Sequence, residues 1–570
     1  MSNESPTAPP PYPRWGVWLL AAAHALFVTG YIAFSSDHTQ YLLLPFRDIV
    51  PDFATNDWLT WETSHYHFTF SYLIRGLHAL APNFLDVSMF AMWFLFTGLY
   101  THACLKLTQS LGGRFEHFCI VVLLHGLYMN IGIGDTNTYG DMLLPTHMAF
   151  AITMYAIAAL LQHRYVQASA FLGIATLIHI AFGAVCFPVL IAYMVCAEKK
   201  FEPKRWIQVA IPFLLISLPN SIPVALRFAE SFIEPAAFDG FRIAFQFRAP
   251  QHYDPLSFST GVSLMWAIPI FVALTRVCPA HNDTDRRARL LLVLILGLLV
   301  VTFVASIAGT PRFLLRFFPW RLAPIAMVIS FVYLARACTD SPLWRNKAAA
   351  AFLVPVLGLI GLRSLSNGAL IQGALICGVI LAVVAAIYMM RNVRFAPIAA
   401  ACLCAVGLTA ASATPANGYL PQHRAITLHH NDPFLEWIRE ESPPGALFMI
   451  PPDLEGIRLQ GQRAVIVNFK CFPLGDGDEI LEWTRRIEAV TGSEAILDQQ
   501  ATGFRLLQKL IADYKGRSPD QVLETMDEFA ADYFVTYEDH CELELFDQSG
   551  FELCFADTAR RIYRRVSPGQ

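Results

Sequence analysis

The chain carries about a dozen long apolar segments between Trp15 and about residue 413, and its basic residues alternate between the loops that join them. Apolar runs of about 18 or more residues can cross the hydrocarbon core as helices. An excess of Lys and Arg marks the cytoplasmic loops of such proteins. The intervening loops hold no lysine, so we expect them to face outward. The basic residues lie on every second loop, at Lys106 and Arg114, Arg164, Lys199 to Arg205, Arg286 to Arg289, Arg345 and Lys347, and Arg391 and Arg394.

Composition supports a membrane protein. Hydrophobic residues make up 55% of the 570 residues and charged residues 15%, whereas a soluble chain is about half apolar and about a quarter charged. The pattern predicts an α-helical polytopic membrane protein with about thirteen transmembrane helices. We expect them near 15–35, 83–107, 117–133, 142–162, 166–197 (two short helices), 206–224, 259–276, 289–308, 322–338, 348–362, 369–390 and 395–413.

The two short helices are predicted from the charges around one long apolar run. Residues 166–197 are flanked by basic residues on both sides, at Arg164 and at Lys199 and Lys200. A single span would place its two flanks on opposite sides of the membrane. The run is therefore interpreted as two half-length helices with their turn near His179.

A soluble domain follows the membrane body. Residues 414–570 carry 15 basic and 26 acidic residues, against 26 and 19 in residues 1–413, and they offer no basic patch for nucleic acid. We expect a cytoplasmic tail at 1–14, a membrane body at 15–413 with outer loops 36–82, 225–258 and 309–321, and an extracytoplasmic domain at 414–570. Thirteen crossings from an inner N-terminus place that domain outside.

The C-terminal domain alternates helix and strand signals, so a small α/β fold is predicted. Asp432 is placed to cap a helix, and Ser518-Pro519 opens another in the expected way. Cys541 and Cys554 could form a disulfide in an oxidising compartment or remain free thiols. The expected strands are Ala446–Ile450, Ala464–Phe469, Tyr533–Tyr537, Phe551–Phe555 and Arg561–Val566.

Three acidic residues and one histidine are candidates for chemistry. Asp37 follows the first span and could act as a general base toward an acceptor hydroxyl, or it could simply end a helix in water. Asp135 and Asp141 bracket an outer loop. They could hold substrate hydroxyls or a divalent cation, or form a turn that caps the next helix. His179 lies within an apolar run, where ionisable groups usually face a cavity, although a bond to a backbone carbonyl would also satisfy it.

The outer arginines give the strongest signal for a binding site. They come from two loops rich in Phe, Tyr and Trp. The planar guanidinium binds phosphate at two points, and aromatic rings suit the headgroup level. Lysine would reach ordinary phospholipid headgroups equally well, so its absence favours a specific site for a lipid-linked phosphate. The arginines are Arg242, Arg248, Arg312, Arg316 and Arg321.

This layout resembles the GT-C superfamily of integral-membrane glycosyltransferases, particularly its bacterial members. The likeness lies in an anchor followed by an outer acidic residue at Ser35-Ser36-Asp37-His38, the paired short spans around His179, and the external α/β domain. Local patterns add to it, at Phe247-Arg248-Ala249-Pro250-Gln251-His252-Tyr253, Pro319-Trp320-Arg321, Ile450-Pro451-Pro452 and Asn468-Phe469-Lys470.

The resemblance implies a polyprenyl-phosphate sugar donor, a catalytic Asp37 and donor-phosphate arginines, at the outer face of a bacterial inner membrane. His38, His252 and Tyr253 are further candidate substrate ligands, together with His179, Asp135 and Asp141. The sequence makes no cofactor certain, and a divalent cation is possible. Two departures matter: Asp37 is followed by His38 rather than a second acid, and the Trp-Trp-Asp signature of oligosaccharyltransferases is absent.

Two other hypotheses remain open. A transporter or lipid flippase would carry ionisable residues deep in its spans, and His179 is the one such residue that the sequence singles out. A non-catalytic scaffold would use the external acidic domain to bind a partner, with no pocket at Asp37.

Overall fold

The computed structural model describes most of the chain. Within it the fold is mostly helical, with a small C-terminal sheet region, so the predicted fold class is confirmed. The described residues are 13–63, 65, 67–128, 131–134, 136–137, 139–198, 202–231, 240–277, 282–307, 318–340, 357–358, 360, 370–390, 395–412, 426–428, 431–473, 477–541, 543–546 and 550–566.

Helices occupy twelve of the thirteen predicted spans. Five of them are long and apolar enough to cross a membrane by length and composition, and shorter apolar helices accompany these. The remaining predicted span, at 348–362, lies largely outside the described residues. The helices are Arg14–His24, Leu85–Ser110, Phe115–Tyr128, Pro145–Leu161, Tyr165–Ile178, Ile180–Glu198, Pro203–Ser231, Thr260–Val277, Asp283–Ile307, Ala323–Asp340, Leu370–Met390 and Ala396–Ser412.

The predicted turn at His179 is confirmed. The helix Tyr165–Ile178 ends there because His179 adopts an extended conformation, and Ile180–Glu198 starts directly after it. Thr176 and Gly183 meet across this turn so closely that any side chain at 183 would collide with the threonine.

The chain forms two compact units. One contains residues 1–32, 90–219 and 255–426, and the other contains residues 33–89, 220–254 and 427–570. We call the second the C-terminal unit, because it combines residues 427–570 with segments that correspond to the first two long predicted outer loops. Those loops were predicted as part of the membrane body.

The C-terminal unit is built from short helices around one sheet. Its described helices and helical turns are His38–Tyr41, Leu43–Ile49, Trp58–Trp61, Phe68–Leu80, Pro82–Phe84, Ile243–Arg248, Pro250–Tyr253, Pro433–Glu441, Gly477–Thr491, Ile496–Asp498, Phe504–Lys515, Pro519–Phe529 and Leu543–Phe546.

The sheet has five strands, at Leu447–Met449, Ala464–Val465, Tyr533–Tyr537, Phe551–Ala556 and Arg560–Arg565. The first strand pairs in parallel with the second and the third, and the third continues antiparallel to the fifth and then the fourth. All five predicted strands are therefore present, although the second ends at Val465 rather than Phe469. A core that includes Phe434, Phe448, Val535 and Ile562 packs against the sheet.

The predicted helix starts are confirmed by their caps. The Asp432 carboxylate accepts from the Phe434 N–H at 3.1 Å, and Ser518 forms a reciprocal capping box with Gln521. Such caps satisfy backbone N–H groups that have no partner within the helix. Cys541 and Cys554 are both free thiols.

Candidate active site

Asp37 follows a strained turn of the C-terminal unit. Phe34 and Ser36 have φ values of 56° and 47°, a left-handed conformation that a bulky residue such as Phe rarely adopts. Strain of this kind concentrates at functional sites. Asp37 begins the short helix His38–Tyr41, but its side chain caps no backbone N–H. The side chain keeps 45% of its surface accessible, so its carboxylate is available for chemistry.

Lys470 is the charged partner of this carboxylate. Its Nζ lies 2.6 Å from Asp37 Oδ1, and its own side chain is 32% exposed. The charges of His252 and Arg248 also act on Asp37. One carboxylate is thus surrounded by three groups that can carry positive charge.

Arg248 holds the segment that carries Lys470. Its Nε donates to the Phe469 carbonyl at 3.2 Å and its Nη2 to the Lys470 carbonyl at 2.7 Å. The guanidinium also lies 4.8 Å from the centroid of the Phe472 ring. Guanidinium has five N–H donors, and these bonds use two of them. Arg248 therefore positions Lys470 and retains donors for an anion.

Two carboxyl groups at this site have pKa values moved in opposite directions. Burial acts to raise the pKa of Asp37, but the charge of Lys470, with those of His252 and Arg248, outweighs it and the pKa falls below its ordinary value. Burial raises the pKa of Glu455 despite the charge of Lys470. Paired carboxyl groups separated in this way are characteristic of acid–base sites.

Four predicted site residues come together around this ion pair. They are Asp37, Arg248, His252 and Tyr253, whose ring lies 4.2 Å from that of Phe245. His38 is fully buried, and its Nδ1 accepts from the Phe34 N–H at 3.0 Å. That placement favours stabilising the turn over touching a substrate.

Arg242 lies near this cluster in sequence but contributes differently. Its side chain is exposed, and its guanidinium lies 5.6 Å from the centroid of the Phe247 ring. Its role in phosphate binding stays a prediction.

The remaining predicted site residues belong to the unit that contains the membrane helices, or lie outside the residues that the structure describes. In that unit the Arg321 Nη1 lies 3.0 Å from His179 Nε2, and the guanidinium is 4.9 Å from the Phe182 ring centroid. Asp141 accepts the Ile32 N–H through its backbone carbonyl at 2.8 Å. Its side chain does not cap the next helix, which begins at Pro145 with Leu144 as N-cap and no side-chain cap. Asp135, Arg312 and Arg316 lie outside the described residues.

Lys470 and Glu455 were not predicted as site residues, although Lys470 ends the quoted pattern Asn468-Phe469-Lys470. Each follows one of two neighbouring parallel strands, Leu447–Met449 for Glu455 and Ala464–Val465 for Lys470. Ligands of α/β sheets bind at the carboxyl ends of the strands. The position of both residues after a predicted strand was therefore the one signal in the sequence that could have identified them. Within the described residues, no group of three or more His, Cys, Asp and Glu side chains could hold a metal ion.

Comparison with known proteins gives one family match and several structural neighbours. A model described as a domain of unknown function, DUF6798, matches residues 431–490, a range that contains both Glu455 and Lys470. No sequence among curated proteins matches the chain.

The chain is similar to several solved structures. ArnT from Cupriavidus metallidurans in the apo state is 14% identical, with 97% of this chain and 96% of that chain covered and a TM-score of 0.49. The same protein bound to undecaprenyl phosphate is 14% identical, with 97% of each chain covered and a TM-score of 0.48. The apo oligosaccharyltransferase of Archaeoglobus fulgidus is 12% identical, with 98% of this chain and 75% of that chain covered and a TM-score of 0.49. At these identities the likeness assigns no roles to residues.

Proposed function

We propose that the chain is an inverting glycosyltransferase that moves a sugar from a polyprenyl-phosphate donor to an acceptor hydroxyl at the outer face of the inner membrane. The observation that carries the proposal is the Asp37–Lys470 ion pair at 2.6 Å, beside Arg248 and His252 on a solvent-accessible surface. A carboxylate next to cationic groups matches a reaction in which one oxygen loses a proton while a phosphate gains charge.

The reaction balances with the groups present. The ionised Asp37 accepts the proton of the acceptor hydroxyl, and the acceptor oxygen attacks the anomeric carbon. The bond between that carbon and the phosphate oxygen breaks, so polyprenyl phosphate leaves with its electron pair and the configuration inverts. Lys470 and the remaining donors of Arg248 stabilise the charge that develops on the leaving phosphate.

Other parts of the proposal rest on the sequence. Arg321, Arg312, Arg316 and Arg242 are proposed as further ligands of the donor phosphate. The alternating basic loops support an N-terminus in the cytoplasm and a C-terminal domain outside. A bacterial inner membrane is the proposed location.

The proposal is tested by binding of the lipid carrier. We expect the purified chain in nanodiscs to retain undecaprenyl phosphate in native mass spectrometry, and to bind undecaprenol at least tenfold more weakly, because the alcohol lacks the anion. Equal retention of the two lipids would contradict a phosphate site and remove the basis of the proposal.

Lys470→Gln is expected to shift the pH dependence of transfer. The variant removes the charge that holds the pKa of Asp37 low, so that pKa rises. The base works only when ionised, and activity is therefore lost at a higher pH as the solution is acidified. The rate of donor consumption is measured against pH. Lys509→Gln is the control, because Lys509 is a half-exposed lysine of the same domain that pairs with Asp513. We expect this variant to lose activity at the same acidic pH as the wild type.

A second function, lipid flipping or transport, is favoured by one observation. His24, His125 and His147 are buried in the unit that contains the membrane helices, and among the described residues neither ring nitrogen of His24 or His147 has a hydrogen-bond partner. The prediction that His179 is the one ionisable residue deep within the spans is therefore wrong. Movement of a fluorescent polyprenyl phosphate across vesicles without donor consumption would favour this function.

A further inference from the structure

A two-part cavity lies next to the strained turn that precedes Asp37. It is open to the surface, and its two parts have volumes of about 340 Å³ and about 250 Å³, comparable with the smaller ligand pockets of proteins. We call it the Asn431 cavity, after one of the residues shared by both parts. Those shared residues are Phe34, Asn431, Asp432, Leu435 and Gln460.

Two aromatic rings and several polar groups line the cavity. The Phe34 and Phe46 rings stand edge to face at 5.8 Å. Aromatic faces pack against apolar surface, while amide and carboxyl groups can donate to or accept from hydroxyls. This mixture suits a molecule with carbon-rich faces and many hydroxyl groups. The polar groups are supplied by Ser35, Asn431, Asp432, Glu436, Arg439, Glu455, Gln460 and Gln462.

The charges of the lining favour a neutral occupant. Arg560 neutralises the Asp432 carboxylate through two hydrogen bonds of 2.8 Å. Arg439 also lines the part of the cavity that contains Glu436, and its guanidinium pairs with Glu440 at 3.0 Å. A cavity built for a cation would leave its carboxylates without such compensation.

The cavity reaches the residues around the ion pair. Ser35 is separated from Asp37 by one residue and Phe34 by two, and Ser36 donates its backbone N–H to Glu455. Glu455 lines the cavity and also experiences the charges of Lys470 and Asp37. An occupant could therefore extend a hydroxyl toward Asp37.

We propose that the Asn431 cavity binds the acceptor, and that the acceptor is a neutral saccharide. This inference rests on the proposed function. Glu455 is the positioning residue that would orient the reacting hydroxyl between the cavity and Asp37.

Saccharide binding to the full chain in nanodiscs tests the inference. Methyl glycosides of glucose, mannose, galactose and N-acetylglucosamine serve as probes in saturation-transfer difference NMR. We expect at least one glycoside to bind, and Asn431→Trp to weaken its binding at least tenfold by filling the cavity. Asn431 is exposed, so the larger side chain should leave folding intact.

Glu441→Gln is the matched control, because Glu441 is exposed on the same helix, Pro433–Glu441, and lines neither part of the cavity. It should bind the glycoside as the wild type does. Absence of binding for all four glycosides, or unchanged binding by Asn431→Trp, would overturn the inference. Retention of undecaprenyl phosphate, measured in the same samples, shows whether the proposed function fails as well.

Discussion

Asp37→Asn is expected to lower the rate of sugar transfer by about 10²- to 10⁴-fold, the usual contribution of a general base. The amide keeps the size of the side chain but cannot accept the proton of the acceptor hydroxyl. Its loss also leaves Lys470 without its partner at 2.6 Å. Transfer is measured as loss of radiolabelled sugar from the polyprenyl-phosphate lipids of the cells that make the protein.

Asp52→Asn controls for the loss of one negative charge in the same segment. Asp52 is exposed and has a φ of 54°, a conformation that asparagine tolerates well, so this variant should transfer at the wild-type rate. Asp37→Asn should still retain undecaprenyl phosphate. A folded Asp37→Asn protein with full transfer activity would show that the proton goes elsewhere, and the mechanism would be abandoned.

The membrane body was predictable because hydropathy determines which segments can be spans. Even the hairpin at His179 followed from charge, since Arg164 and Lys199 both flank one apolar run. The strands of the C-terminal domain followed from short apolar runs, and Tyr533–Tyr537 is correct to the residue.

The candidate site was only partly predictable. Charged or aromatic side chains in lysine-free loops could be recognised from the sequence. They are Asp37, Arg248, His252 and Tyr253. Lys470 joins them through contacts between segments more than 200 residues apart, such as the bond from Arg248 to its carbonyl. No local pattern encodes such a contact. The strands Leu447–Met449 and Ala464–Val465 pair in parallel. This pairing alone indicates that the segments that follow them, which carry Glu455 and Lys470, leave the sheet at the same edge.

A buried ion pair supports the segment that carries Lys470. Arg458 Nε donates to Asp57 Oδ2 at 2.7 Å, and the two side chains are 4% and 0% exposed. Asp57 also accepts the N–H groups of Thr60 and Val465. Arg458 donates through Nη1 to Asn468 Oδ1 at 2.8 Å, and that same oxygen accepts the Cys471 N–H. The pair is thus connected to residues on both sides of Lys470.

Asp57→Ala is expected to destabilise the protein by about 3–5 kcal/mol, because it leaves the Arg458 charge buried without its partner. The two orphaned N–H groups add to this cost. For a unit of this size the midpoint of thermal unfolding should fall by about 6–20 °C, measured by differential scanning fluorimetry in detergent. Arg458→Met should cost less, because Asp57 keeps both of its N–H donors.

The exposed pair between Arg75 and Asp48, at 3.1 Å, provides the control. Its disruption by Arg75→Ala should cost less than about 1 kcal/mol, because water solvates both charges. If Asp57→Ala were as mild as this control, the buried pair would add little to stability. If Asp57→Ala were severe while transfer at a permissive temperature stayed at the wild-type rate, the connection from Arg458 through Asn468 would not position Lys470, and the support that we infer for the ion pair with Asp37 would be wrong.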